Sequence, residues 1–260
     1  MDLTIDHAVF GWSDHRAITD LTREVGLDPT YGGEHADGAT EMSVVPFPDG
    51  SYLEFIAPTG EGTPGYWPEA LQNDAGPCAW AVRSDDLVDD LTDALHAGFP
   101  VEGPHDGGRQ RPDGTLVEWS QGFVGEPPIP FAIQDRTPRQ YRVPSTERSL
   151  VASVGTVVLG VADVEAATER FRRLVSLPTP RIEETPLGEV SWFPGQPFAL
   201  VEAPDRVVTF GPMPVAHLLR VRDFGTAQAQ FALTAEETWF GNSVAWFDAD
   251  PFEKRLGVVG

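Results

Sequence analysis

The chain has a single cysteine, Cys78, in 260 residues, which excludes an intrachain disulfide and any zinc site built on cysteines. Cys78 itself reads as a small buried hydrophobe. No apolar run approaches the ~20 residues that cross a bilayer. Residues 1–7 lack the basic-then-apolar pattern of a secretory leader, so a soluble, cytoplasmic protein is expected. Lysine is almost missing: of 18 basic residues only Lys254 is a lysine, against 40 acidic residues and a net charge of -22. Such a surface repels nucleic acid and anionic lipid, and neither is an expected partner. The same bias resembles the proteins of salt-loving archaea, where molar salt screens like charges over a few ångströms. An ordinary acidic protein from a GC-rich genome is the alternative. No Gly-x-Ser-x-Gly elbow exists to make a serine near His105 and Asp106 a nucleophile. The glycines of 60–65 lack the Lys and Ser or Thr of a phosphate loop.

What is present is a core and a repeat. Hydrophobic residues make up 41% of the chain and aromatics 10%, while the 26 Gly and 24 Pro punctuate apolar runs instead of forming a low-complexity tract. The length suits one large domain or two of about 130 residues. Ile5-Asp6-His7-Ala8-Val9-Phe10 is an extended run, followed at Asp14 by a helical pattern with Ile18, Leu21 and Val25 on one face and Gly26 closing it. Extended runs over 41–47 and 51–57 come next, joined by the turn Pro48-Asp49-Gly50. This strand, helix, meander order returns from 78, from 154 and, shortened, from 217. Asp14, Asp85, Asp163 and Asp223 recur six or seven residues past one position of each opening strand. The polar stretch 136–148, with Pro138 and Pro144, reads as a linker between domains 1–135 and 149–260.

Four such units paired in order resemble the vicinal oxygen chelate superfamily of glyoxalase I and the extradiol dioxygenases. Within residues 1–135, Asp6-His7, Gly33 with His35, Tyr52-Leu53-Glu54, the stretch from Trp80 to Leu87, and Arg111-Pro112-Asp113-Gly114 followed by Trp119 resemble the glyoxalase-like domain family. The second half resembles the superfamily in its strand order and in Glu202 and His217. The resemblance implies an α+β fold of tandem βαβββ modules, paired into curved, mostly antiparallel sheets around a cleft.

In metal-dependent members of the superfamily, the first and last strands of each module hold a divalent ion that polarises two substrate oxygens as a Lewis acid. Carried over by position, His7, Glu54 and Gln134 are the implied metal ligands, and Glu54 is the implied catalytic proton carrier. Zinc, nickel, iron or manganese suits such donors. The second module's opening strand offers only Ala79 or Trp80. Independently of any family, alternation along 52–56 sets Glu54 on the face opposite Leu53 and Phe55, and a buried carboxylate there needs a partner or a ligand. His35, after Gly32-Gly33, borders the same cleft. Arg109, Arg111 and Trp119 are candidate substrate-binding groups, an arginine fork beside an aromatic wall; solvated turn residues beside a core tryptophan are the alternative. Glu202 and His217 read as a relict buried ion pair. Two functions stay open: a metal-dependent lyase, isomerase or dioxygenase acting on a small oxygenated molecule, and a metal-free protein that binds or sequesters a small molecule. Both are compatible with a homo-oligomer.

Overall fold

The computed structural model describes residues 2–144, 146 and 149–260; residues 145, 147 and 148 of the expected linker lie outside them. The first unit is β1 (Ile5–Gly11), α1 (His15–Glu24), β2 (Thr30–Glu34), β3 (Thr40–Pro46) and β4 (Tyr52–Pro58). A short helix α2 (Pro68–Gln72) leads to β5 (Gly76–Arg83), α3 (Leu87–His96), β6 (Val101–Gln110), β7 (Leu116–Val124) and β8 (Phe131–Asp135). After α4 (Arg139–Arg142) come β9 (Val151–Val161), α5 (Val164–Leu174), β10 (Arg181–Thr185), β11 (Gly188–Trp192) and β12 (Phe198–Glu202). The last unit follows α6 (Pro204–Phe210): β13 (Met213–Val221), α7 (Phe224–Gln230), β14 (Glu237–Trp239), β15 (Asn242–Trp246) and β16 (Leu256–Val259).

The strands form two curled sheets of eight, ordered β2-β3-β4-β1-β5-β8-β7-β6 and β10-β11-β12-β9-β13-β16-β15-β14. Each unit closes with a parallel pairing of its first and last strands, β1 with β4 and β5 with β8 in the first sheet. Such a pairing needs a crossover, which α1, α3, α5 and α7 supply. The recurring aspartates explain where these helices begin. Asp14, Asp86, Asp163 and Asp223 are their N-caps, each in extended backbone with its carboxylate accepting from the third residue on. That satisfies one of the orphan N–H groups of a helix start. In the second unit the cap is Asp86, one residue beyond the expected Asp85.

Ala8, Phe10, Leu53 and Phe55 leave the first sheet on its helix-covered face and join Leu159, Phe198 and Leu219 of the second sheet in one core. Trp80 meets Phe198 at 6.1 Å and Phe10 meets Phe252 at 5.4 Å, so the two halves share aromatic contacts. The opposite, inner face of each sheet has its own apolar cluster, around Val9, Met42 and Ile56 in the first and around Val158, Val190 and Leu218 in the second. Among the described residues no helix is long and apolar enough to cross a membrane.

Candidate functional site

The inner face of the first sheet curls around a cavity of about 280 Å³. On β1 the inward residues are His7 and Val9; on β4 they are Tyr52, Glu54 and Ile56, as a period of two requires. Parallel register pairs His7 with Tyr52 and Val9 with Glu54, which sets the imidazole diagonally across from the carboxylate. His7 Nε2 stands 3.9 Å from Glu54 Oε2. Asp6 should point the other way, but the β1–β5 register shifts between Ile5↔Val82 and His7↔Ala81. A bulge of this kind re-aims a side chain. It brings Asp6 Oδ1 to 2.7 Å from His7 Nδ1.

Asp6 is fully buried and heavily paired. Arg142 donates to it twice, Nη1 to Oδ1 at 2.8 Å and Nη2 to Oδ2 at 2.9 Å, and Arg139 Nη1 donates to Oδ2 at 2.7 Å. Burial alone would raise the Asp6 pKa, but the Arg142 charge and the His7 bond outweigh it and hold the carboxyl well below its usual range. The ionised Asp6 carboxylate accepts a hydrogen bond from His7 Nδ1–H, which favours the tautomer whose Nε2 lone pair faces the cavity. Tyr52 stacks on the ring at 4.6 Å and Phe131 meets it edge-on at 5.4 Å, fixing its plane. Arg142 Nη1 also donates to the Tyr52 hydroxyl at 3.0 Å and its Nε to Asp135 Oδ1 at 2.6 Å. Burial drives the Tyr52 phenol pKa upward, so it stays protonated. Nothing local in the sequence announces Arg142. The one signal is a carboxylate, Asp6, inside an apolar strand.

Glu54 is 6% exposed, and among the described residues no group donates a hydrogen bond to it. The one ionisable side chain with a nitrogen within 4.0 Å of it, among the described residues, is His7. The cavity floor thus presents two acceptors side by side with nothing yet to accept. Around them stand Tyr66, Trp67, Phe123 and Phe131, with Tyr66 stacked on Phe123 at 4.9 Å and Phe123 on Phe131 at 5.5 Å. Trp67 holds a left-handed backbone, φ 53°. For a bulky residue that conformation is costly, and here it turns the indole to within 5.9 Å of Phe131, over the cavity.

Residues 5–175 match the sequence model of the glyoxalase-like domain family. The chain belongs to that family, and through it to the vicinal oxygen chelate superfamily. A comparison with curated protein sequences gives no match. Among solved structures, a hypothetical protein from Staphylococcus aureus aligns with TM-score 0.65 at 12% identity, covering 98% of each chain. A mutant 4-hydroxymandelate synthase from Streptomyces coelicolor aligns with TM-score 0.64 at 12% identity, over 98% of this chain and 91% of its own. The Mn(II)-bound glyoxalase from Novosphingobium aromaticivorans gives 0.59 at 11% identity, over 99% and 81%. At these identities the likeness is one of fold.

Among the other predicted residues of this glyoxalase-like chain, His35, Arg109 and Trp119 line the same cavity. Arg109, however, is 3% exposed and committed to backbone: it donates to the Gly32 carbonyl and, at 2.8 Å, to that of Arg142. It ties β6 to β2 and α4. Burial lowers the His35 pKa, and its Nδ1 lies 2.8 Å from Thr40 Oγ1. The Trp119 indole covers Gly107, where an added Cβ would come within 2.3 Å of Nε1.

Four expectations need correction. Gln134 does not join His7 and Glu54, because Phe131 and Ile133 are the inward residues of β8. Its amide instead donates to Asp85 O at 2.6 Å and accepts from Leu87 N at 3.2 Å, holding the start of α3. Arg111 lies outside the cavity, beside Asp113 at 3.5 Å. Glu202 and His217 form no pair: Glu202 is exposed, while His217 is fully buried and donates Nε2–H to Val9 O across the two sheets at 3.0 Å. Burial takes the His217 pKa down to about 4. The residues 136–148 are more than a linker, since α4 within them carries the arginines that clamp Asp6.

A catalytic metal needs about three protein donors and an open position. His7 and Glu54 are two. The corresponding inward residues of β5 and β8 are Ala79, Ala81, Phe131 and Ile133, and among the described residues no group of three His, Cys, Asp or Glu could hold an ion. The donor set does not fit.

Proposed function

We propose that this glyoxalase-like protein binds a small aromatic molecule bearing hydroxyl groups, without a metal. The observation that carries the reading is the pair of adjacent acceptors, His7 Nε2 and Glu54, 3.9 Å apart in an aromatic-walled cavity. Two acceptors call for two donors, and neighbouring hydroxyls on one ring supply them. A buried carboxylate with no donor of its own is costly until such a ligand arrives. The ring would lie among Tyr66, Trp67 and Phe123, as small-molecule sites combine apolar walls with a few placed polar groups. Asp6, held by Arg142 and Arg139, keeps His7 in the accepting tautomer. We also infer that the protein works at high salt, supported by 40 acidic residues against 18 basic ones and a single lysine.

The test is a catechol titration of EDTA-treated protein followed by fluorescence of Trp67 and Trp119, with the dimethyl ether of catechol as the donor-free control. Catechol should bind saturably and the ether at least tenfold more weakly, with Glu54→Gln closing most of that gap. Equal binding of catechol and ether refutes the acceptor-pair argument. One observation favours a second reading: a carboxylate hydrogen-bonded to the far nitrogen of a histidine is the arrangement that orients metal-ligating histidines. If EDTA abolishes catechol binding and Mn(II) restores it, the metal reading replaces ours.

A further inference from the structure

The second sheet encloses a cavity of its own, about 470 Å³ and so larger than the first. It lies within the roughly 300–1,000 Å³ typical of small-molecule sites. It is not a second copy of the His7 site. Counted back from the helix caps Asp14 and Asp163, Val158 matches Val9 and Thr156 matches His7, and register pairs Val158 with Ala199 as it pairs Val9 with Glu54. Thr156 and Ala199 therefore stand where His7 and Glu54 do, and neither is ionisable.

Two features mark its rim. The first is Phe240. Trp239 pairs with Asn242, so Phe240 and Gly241 are a two-residue hairpin turn, with φ 52° and 84°. That turn requires positive φ at both positions and favours Asn-Gly; a phenylalanine at the first is a strained choice. Its ring sits 5.5 Å from that of Trp192, and both line the cavity with Trp239. The second feature is charge. Arg220 lines the mouth, and Arg181 lies over the rings of Trp192 and Phe240 at 5.7 and 5.9 Å. Among the described residues neither arginine has an acidic partner, in a chain with 40 acidic residues to choose from. The two carboxylates that also border the cavity are engaged nearby: Asp49 accepts from Ser51 N at 2.9 Å, and Asp2 from the Thr4 hydroxyl at 3.0 Å.

We propose that the second sheet holds a separate, metal-independent site for an aromatic carboxylate. The ring system enters between Trp192, Trp239 and Phe240, and the carboxylate stays at the mouth on Arg220, whose planar fork matches it. Phe240 keeps its strained position because its ring is a wall of the site.

The probes are 2-naphthoate and its neutral counterpart 2-naphthalenemethanol, titrated calorimetrically into the full chain. Naphthoate should bind at least tenfold more tightly than the alcohol. Arg220→Gln should remove that preference while leaving the alcohol within twofold. Phe240→Asn separates function from fold, because asparagine suits the turn: the melting temperature should hold or rise while naphthoate affinity falls at least tenfold. Equal affinity of the two probes, or naphthoate binding unchanged in both variants, overturns the proposal. A lowered melting temperature in Phe240→Asn overturns the strain argument. Because His7 and Glu54 take no part, Glu54→Gln should leave naphthoate binding unchanged whatever becomes of catechol.

Discussion

Acidification should weaken the joint between the two sheets through one residue, His217. Its ring is fully buried between them and donates to the Val9 carbonyl, and its pKa falls from 6.5 to about 4, mainly through burial, with Arg206 adding to the fall and the Val9 bond opposing it. A depressed histidine pKa means that the folded state holds neutral His217 while the unfolded chain takes up a proton below pH 6.5. The stability this contributes is full above pH 6.5, declines as pH falls, and is gone at about pH 4. At 1.4 kcal/mol per pH unit the whole effect is about 3 kcal/mol. Buried His35 and the partly buried His15, whose pKa values burial also lowers, act in the same direction. A difference between proteins is therefore the cleaner measurement. His217→Gln keeps an N–H donor for Val9 O and removes the titration. Urea unfolding at pH 7.5 and pH 4.2 should show the wild type losing about 2–3 kcal/mol more than the variant. Asp6 does not confuse this window, because its depressed pKa makes its contribution disappear only as pH falls below 3.8. Parallel stability losses in the two proteins would refute the assignment of the joint to a neutral His217.

Arg142→Ala leaves Asp6 buried with Arg139 as its main cation and should destabilise the fold by about 3–5 kcal/mol, the range for breaking a buried ion pair, in chemical unfolding at pH 7. Asp163→Ala removes the N-cap of α5 and should cost about 1 kcal/mol in the same assay, with no effect on catechol binding. Thermal melts between 0.1 M and 3 M salt should climb, because salt screens the repulsion among surface carboxylates; a flat series argues against adaptation to high salt.

The parts of the fold legible in the sequence are those whose side chains face a core. The opening strands and the helices announce themselves because Ile18 on α1, Leu91 on α3 and Phe171 on α5 must reach the shared core at helical spacing. The outermost strands β2, β6, β10 and β14 escape notice. They stand at the ends of the strand orders, where the backbones of β2 and β6 meet through the isolated bridge of His35 with Arg109 and little is buried, so alternation has little reason to appear. β6 carries His105, Asp106 and three glycines, and reads as loop although it forms ten residues of strand. The curl of the sheet makes that edge strand the far wall of the site, through Arg109 and the bare Gly107 under Trp119.

The site was legible only as far as strand parity and the family resemblance carry. Glu54 follows from alternation along its own strand, an argument needing no distant information, whereas His7 follows from the family resemblance. Gln134 misleads because it is carried over by position from the family resemblance, whereas parity gives the inward place to Ile133; Glu202 misleads in the same way beside Val201. Asp6 breaks parity through a bulge, and its clamp Arg142 lies 136 residues away, a separation no spacing rule spans. That clamp has a functional consequence. Fixing the His7 tautomer through a doubly paired carboxylate makes Nε2 an acceptor, and a second acceptor at Glu54 then selects donors. At the equivalent strand positions the second sheet has Thr156 and Ala199, with Gly155 in the place of Asp6, and the charged groups near its cavity include arginines at the rim. Under the two proposals, one scaffold repeated within one chain keeps two cups and reverses what they ask of a ligand: hydroxyl donors at the floor of the first, an anion at the mouth of the second.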